Sequence, residues 1–186
     1  MPKYRVINEI VASLAKQPAV EGIAAALDPV ADGLEGHREL YDTLTGESLT
    51  GHPIHPALVH FPIGVTMAAA ALEVVGWGRF AAATTILTGI TVATAVPTAV
   101  TGIAEWTRGR PDHRQRRVGA LHAAAAATGT TLATLSLVSR LTGRHGIGRA
   151  LLFGAAGAYG AAGFIGGDLV YGRDLVPETG RQESSD

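Results

Sequence analysis

Charged residues are distributed unevenly along the chain, and the gaps between them are long. No Asp, Glu, Lys or Arg occurs in the 24 residues from Ala81 to Ala104, the 22 from Val118 to Ser139, or the 18 from Ala150 to Gly167. A fourth tract, Ala57 to Gly78, carries Glu73 as its single formal charge. A hydrocarbon layer about 30 Å thick is crossed by roughly 20 apolar residues in helical form. Inside it the backbone must satisfy its own hydrogen bonds, so each crossing segment is a helix. The pattern therefore predicts an all-α integral membrane four-helix bundle over residues 51–172, with spans at about 57–78, 81–104, 118–139 and 150–171.

The flanks read differently. In residues 1–50, Ile7, Ile10, Val11 and Leu14 make one apolar stripe, and Ile23, Ala26, Leu27, Val30 and Leu34 make another. These spacings predict short amphipathic helices that lie against the bundle or the membrane surface, punctuated by Pro18 and Pro29. No stretch there is long and apolar enough for a secretory signal. Residues 173–186 are polar and are expected to form a mobile tail.

Composition narrows the chemistry. The absence of cysteine excludes disulfides, zinc–thiolate sites, cysteine-ligated iron–sulfur clusters and c-type haem attachment. A net charge of −1 gives no reason to expect nucleic acid. Nor does the chain carry a hydrolase, transferase or nucleotide-binding motif. Charge placement does predict orientation. Eleven basic residues fall on one side: Lys3, Arg5, Lys16, Arg38, Arg108, Arg110, Arg114, Arg116, Arg117, Arg173 and Arg181. Four fall on the other: Arg79, Arg140, Arg144 and Arg149. The excess marks the cytoplasmic side, so both termini are expected to be cytoplasmic, in the cell membrane.

Small residues mark the helix contacts, as packing rather than hydrophobic force joins helices in lipid. Span four carries Gly154, Gly157, Gly160, Gly163, Gly166 and Gly167. Span three aligns His122, Ala126, Gly129, Ala133 and Ser136. Thr84, Thr88, Thr91 and Thr98 share a face of span two, where a hydroxyl most simply bonds its own preceding turn.

The candidate chemistry lies at the cytoplasmic ends. At about 1.5 Å per residue, His60 is ~4–5 Å past Ala57, His122 ~6 Å past Val118, and Asp168 ~7–8 Å before Arg173. Glu105 ends span two beside Trp106, an interfacial residue type. His55 and Tyr171 are near neighbours of this layer. Ionisable groups in a membrane point to function. Glu73, ~24 Å beyond Ala57, is expected to reach water at the far boundary and is given no role. Three readings of the layer are open. His60 and His122, on alternate helices, could ligate a b-type haem. His52, His55, His60, His122 and Asp168 could hold a bare metal ion. Or the layer only ties the helix ends together. The first reading makes the chain a redox subunit serving a cytoplasmic partner or a quinone in the membrane plane. The third makes it a structural or assembly module. A transport pathway through four spans is the weakest candidate.

Four segments resemble a bacterial four-span family catalogued as domain of unknown function 2231. They are Gly51-His52-Pro53-Ile54-His55-Pro56 running into Pro62-Ile63-Gly64, Thr101-Gly102-Ile103-Ala104-Glu105-Trp106, Leu121-His122-Ala123, and Phe164-Ile165-Gly166-Gly167-Asp168-Leu169-Val170-Tyr171. The resemblance covers about residues 20–175 in order. It implies a four-helix membrane domain and, because some relatives carry a Rieske iron–sulfur domain after the fourth span, redox company. Without cysteines this chain would work alone or with a separate partner. The Rieske-linked relatives often have Asp at the position of His60 and His at the position of Asp168, so carry-over is firmer for His52, His55 and His122.

Overall fold

A computed structural model describes residues 3–171, with side chains described for residues 9–170. The expected tail and the Tyr171 side chain lie outside the described residues. Every regular element among those residues is an α-helix. Four short helices come first: α1 (Lys3–Ala15), α2 (Pro18–Glu35), α3 (Arg38–Thr45) and α4 (Glu47–Thr50). Then α5 (His55–Leu58) leads into α6 (His60–Gly76), followed by α7 (Ala81–Gly109), α8 (His113–Leu141) and α9 (His145–Tyr171). Four segments are long and apolar enough to cross a membrane: His55–Gly76, Ala81–Gly109, His113–Leu141 and His145–Val170.

The long helices form an antiparallel ring in which α6 packs on α7, α7 on α8, α8 on α9 and α9 on α6. Outward positions are large and apolar, as Ile86, Val96, Leu135, Val138, Phe153 and Phe164 show, which suits a lipid-facing surface. Inward positions are small. Gly129 lies under the Tyr159 ring, where an added Cβ would come within 2.9 Å of Cδ1. The Tyr159 hydroxyl meets Thr130 Oγ1 at 2.9 Å.

The threonines of α7 bond their own preceding turns, as expected. Thr88 Oγ1 donates to the Thr84 carbonyl (2.6 Å), Thr98 to Thr94 (2.8 Å) and Thr101 to Pro97 (3.0 Å), each one turn back. Thr91 meets Thr66 of α6 at 3.1 Å.

The proline-rich entry shows its logic in the freed carbonyls. Pro62 has no N–H for the carbonyl of Leu58, four residues back. Thr98 Oγ1 reaches that carbonyl instead, at 3.4 Å. Ahead of Pro56, the carbonyl of His52 accepts from Thr50 Oγ1 at 2.9 Å. Pro56 stands in the first turn of α5, and the chain breaks at Val59 before α6 begins.

The N-terminal helices lie against one end of the bundle, on a face rotated from the expected stripes. Of α1, Val11 and Ala15 are buried against Val118 and Ile165, while Ile10 and Leu14 are exposed. Of α2, Val20, Ala24 and Ala31 are buried and Val30 is exposed. The acidic residues of α2 explain its rotation. Glu21 and Asp28 grip Arg116 at 2.6 and 2.7 Å, and Asp32 and Glu35 grip Arg110 at 2.6 and 3.0 Å. Those contacts turn the small residues inward. Nor does Pro29 end α2: it sits exposed inside the helix, which continues to Glu35.

Candidate functional site

Two histidines meet at the end of the bundle that carries α1 and α2. His55, from the first turn of α5, places Nδ1 3.0 Å from the Thr98 carbonyl and 3.4 Å from Thr101 Oγ1. His122, in α8, places Nδ1 2.8 Å from the Ala162 carbonyl of α9. Their ring centroids are 6.2 Å apart, with planes at 89°.

The two seats are built alike. A helical side chain covers the carbonyl of the turn before it. The residue four past Thr98 is Gly102, and the residue four past Ala162 is Gly166. Neither has a side chain to obstruct the carbonyl. A Cβ on Gly102 would stand 2.7 Å from His55 Cε1, and one on Gly166 would stand 3.2 Å from His122 Cε1. Each ring therefore rests on bare helix backbone and reaches past a glycine to a carbonyl.

Those carbonyls settle the proton on each ring. A carbonyl only accepts, so the neutral imidazole carries its hydrogen on Nδ1 and its lone pair on Nε2. Among the described residues, no group is hydrogen-bonded to either Nε2. Such a second-sphere bond to Nδ1–H orients a ligating imidazole and strengthens its other nitrogen as a donor.

The remaining predicted residues are placed as follows. His60 is exposed and turns back to its own chain, with Nδ1 3.3 Å from the Ala57 carbonyl. It does not face His122; His55 does. His52 is exposed as well. Asp168 is buried and holds Arg114 through Oδ2 at 2.6 Å, while its Oδ1 has no partner among the described residues. Glu105 is half-buried, with Oε2 likewise unpartnered among them. Trp106 Nε1 donates to the Arg116 carbonyl at 3.0 Å. No three His, Asp or Glu side chains among the described residues come close enough to hold a metal ion, so the five-residue metal set is not gathered.

The α1–α2 arm covers this end. Val20 and Ala24 pack on Ala120, with Ile23, Trp106 and Leu121 around them. Arg116 holds the Glu21 and Asp28 carboxyls below their ordinary range, chiefly through direct hydrogen bonds.

At the opposite end lies a cluster that sequence reasoning passed over. Glu73 does not reach water: it is 2% exposed. Its Oε1 accepts from Thr84 Oγ1 at 3.0 Å and lies 2.8 Å from Arg140 Nη2, charge against charge but off the hydrogen-bond axis. Oε2 accepts from Arg149 Nε at 2.9 Å. Arg140 also donates from Nη1 to Thr84 (2.7 Å) and from Nε to Ser136 (3.3 Å). All four long helices are tied here, because the ends of α6 and α8 and the starts of α7 and α9 meet at one level. Glu73 and Arg140 each sit near a span boundary, where either alone is expected to snorkel. The signal available in the sequence was that both boundaries lie on the same side.

No curated protein and no solved structure matches the chain. A family model described as a predicted membrane protein (DUF2231) matches residues 51–179, which takes in all four long helices and both histidine seats. The chain belongs to the DUF2231 family of membrane proteins.

Proposed function

We propose that this protein is a redox subunit of the cytoplasmic membrane, with both termini cytoplasmic, in which His55 and His122 hold a b-type haem. One observation carries the reading: two imidazoles on neighbouring helical elements, each with Nδ1 fixed to a carbonyl, leave both Nε2 lone pairs without a partner. The donor set fits the group. The two Nε2 atoms would be the donors to the iron, and the ring centroids of the pair are 6.2 Å apart. His55 takes the place that the sequence suggested for His60.

When bound, the haem supplies one-electron transfer at the iron. The chain's own residues do the rest. The Thr98 and Ala162 carbonyls hold the tautomer, and Gly102 and Gly166 leave room for the rings. The α1–α2 arm packs on this end of α8 and α9. Electrons would pass to a cytoplasmic partner or to a quinone in the membrane plane.

A non-redox reading also has a specific observation in its favour. Each histidine joins two elements, α5 to α7 and α8 to α9, so the pair can serve as a structural staple. Visible spectra of the purified protein, oxidised and dithionite-reduced, separate the two. A Soret band that shifts on reduction, is lost in His55→Ala and in His122→Ala, and persists in His60→Ala supports the haem. A colourless protein from cells supplied with haem leaves the staple.

A further inference from the structure

We infer that the arginine end of the bundle seats the phosphate of an anionic phospholipid, with Arg149 as its anchor. The argument is a count of donors and acceptors. Among the described residues Glu73 is the one carboxylate within reach there, and both its oxygens are spent on Thr84, Arg140 and Arg149. Arg140 turns all three nitrogens inward. Arg149 gives only Nε to Glu73; among the described residues its Nη1 and Nη2 have no acceptor.

Those two nitrogens are not lost in the interior. The Arg149 side chain is 21% exposed, and its guanidinium lies 4.9 Å from the centre of the Trp77 ring. Trp77 is 73% exposed and caps α6 in a left-handed conformation, with φ of 43°. Gly78 follows with φ of 90°, and a Cβ there would meet Arg149 Nη2 at 2.6 Å. The turn is shaped to let the guanidinium lie across it, beside an aromatic ring of the kind found at headgroup depth. Arg79 and Arg144 occupy the adjoining loops, both exposed and neither paired with a carboxylate among the described residues. Four arginines thus meet one carboxylate, and a planar guanidinium with two free nitrogens matches the oxygens of a phosphate. The arginines at the histidine end differ: Arg108, Arg110, Arg114, Arg116 and Arg117 each hold a carboxylate of the chain itself.

Lipid and free phosphate share this chemistry, and one experiment distinguishes them. The full chain carrying Trp106→Phe keeps Trp77 as its only tryptophan. It is reconstituted in bilayers that contain brominated phosphatidylglycerol or brominated phosphatidylcholine, with helical content checked by circular dichroism. We expect Trp77 to be quenched several-fold more by the anionic lipid, since each basic residue near such a surface enriches it roughly fivefold. Arg149→Gln should remove the preference. Arg79→Gln, which breaks no internal pair, should reduce it and guards against a folding defect in the first variant. Equal quenching by the two lipids overturns the inference, as does a preference that survives both substitutions. Relief of quenching by millimolar inorganic phosphate, against chloride of equal ionic strength, overturns the lipid assignment and identifies a soluble phosphate as the ligand.

Discussion

The two ends of the bundle solve the same problem with different chemistry. At the arginine end, a buried carboxylate and a buried guanidinium neutralise each other, and the neighbouring hydroxyls are used up in the process. At the histidine end the rings bond to backbone carbonyls, with Thr101 Oγ1 a second contact of His55, and among the described residues polar atoms are left over: two Nε2 nitrogens, Glu105 Oε2 and Asp168 Oδ1. The buried Glu73–Arg140 pair holds helices together, and what that end leaves open among the described residues, Nη1 and Nη2 of Arg149, are donors at its half-exposed rim. The histidine end leaves open nitrogen lone pairs, which can ligate, and the redox reading goes there for that reason.

The comparison can be broken most forcefully at Glu73. Removing it leaves the Arg140 charge buried without a counter-ion, a change of about 3–5 kcal/mol in stability. Glu73→Ala should therefore lower the thermal unfolding midpoint in detergent more than any substitution at the histidine end. A double variant, Glu73→Leu with Arg140→Met, removes both charges and should recover much of the loss. If Glu73→Ala unfolds like the parent protein, the arginine end is not the structural lock.

Smaller effects are expected at the seats of the histidines. Gly102→Ala drives a methyl to within 2.7 Å of His55, and overpacking of that kind costs about 1–3 kcal/mol. Gly166→Ala meets His122 at 3.2 Å and should cost less. The order of the two melting shifts tests whether the rings rest on the glycines as described. Replacing His122 by Ala forfeits one hydrogen bond, about 1 kcal/mol, together with the packing of the ring. A melting loss as large as that of Glu73→Ala would make the histidine end structural too, and would dissolve the contrast between the ends.

How far the sequence foretold these two ends follows from the physics of each. The four long helices were legible because lipid tolerates almost no charge, so each span shows as a gap in the charge pattern. The Glu73–Arg140 pair was not legible, because its members are far apart in sequence and each sits where snorkelling is the ordinary outcome. The expectation that His122, Asp168 and Glu105 share one layer rested on depth alone. Depth could not say which histidine faces His122, because that depends on helix rotation and on where Pro56 and Pro62 break the entry. His60 has the right depth but the wrong azimuth. The seats did leave a trace, a glycine four residues past each accepting carbonyl, which is readable only once the acceptor is known. The α2 stripe misled for a related reason: its carboxylates, reaching for Arg110 and Arg116, decide which face turns inward.

The arm over the histidine end gives the gentlest test, one of pH. Glu21 and Asp28 have ordinary pKa values of 4.5 and 3.8, and hydrogen bonds from Arg116 lower both. A carboxyl whose pKa is depressed by folding adds stability above its ordinary pKa and loses it as pH falls through the lowered one. The contribution of α2 should therefore be complete at neutral pH and fade only below about pH 4. Because these side chains are exposed, it should also weaken with salt, whose screening length is about 10 Å at 0.1 M. Trp106 packs against the cluster that Val20 and Ala24 of α2 form with Ala120, so its emission in a Trp77→Phe background reports on the arm. A red shift on acidification that salt moves to higher pH would show an electrostatic clasp. Emission unchanged to pH 3 and at high salt would mean that Val20 and Ala24 hold the arm by burial alone, making the cover over the histidines as fixed as the lock at the other end.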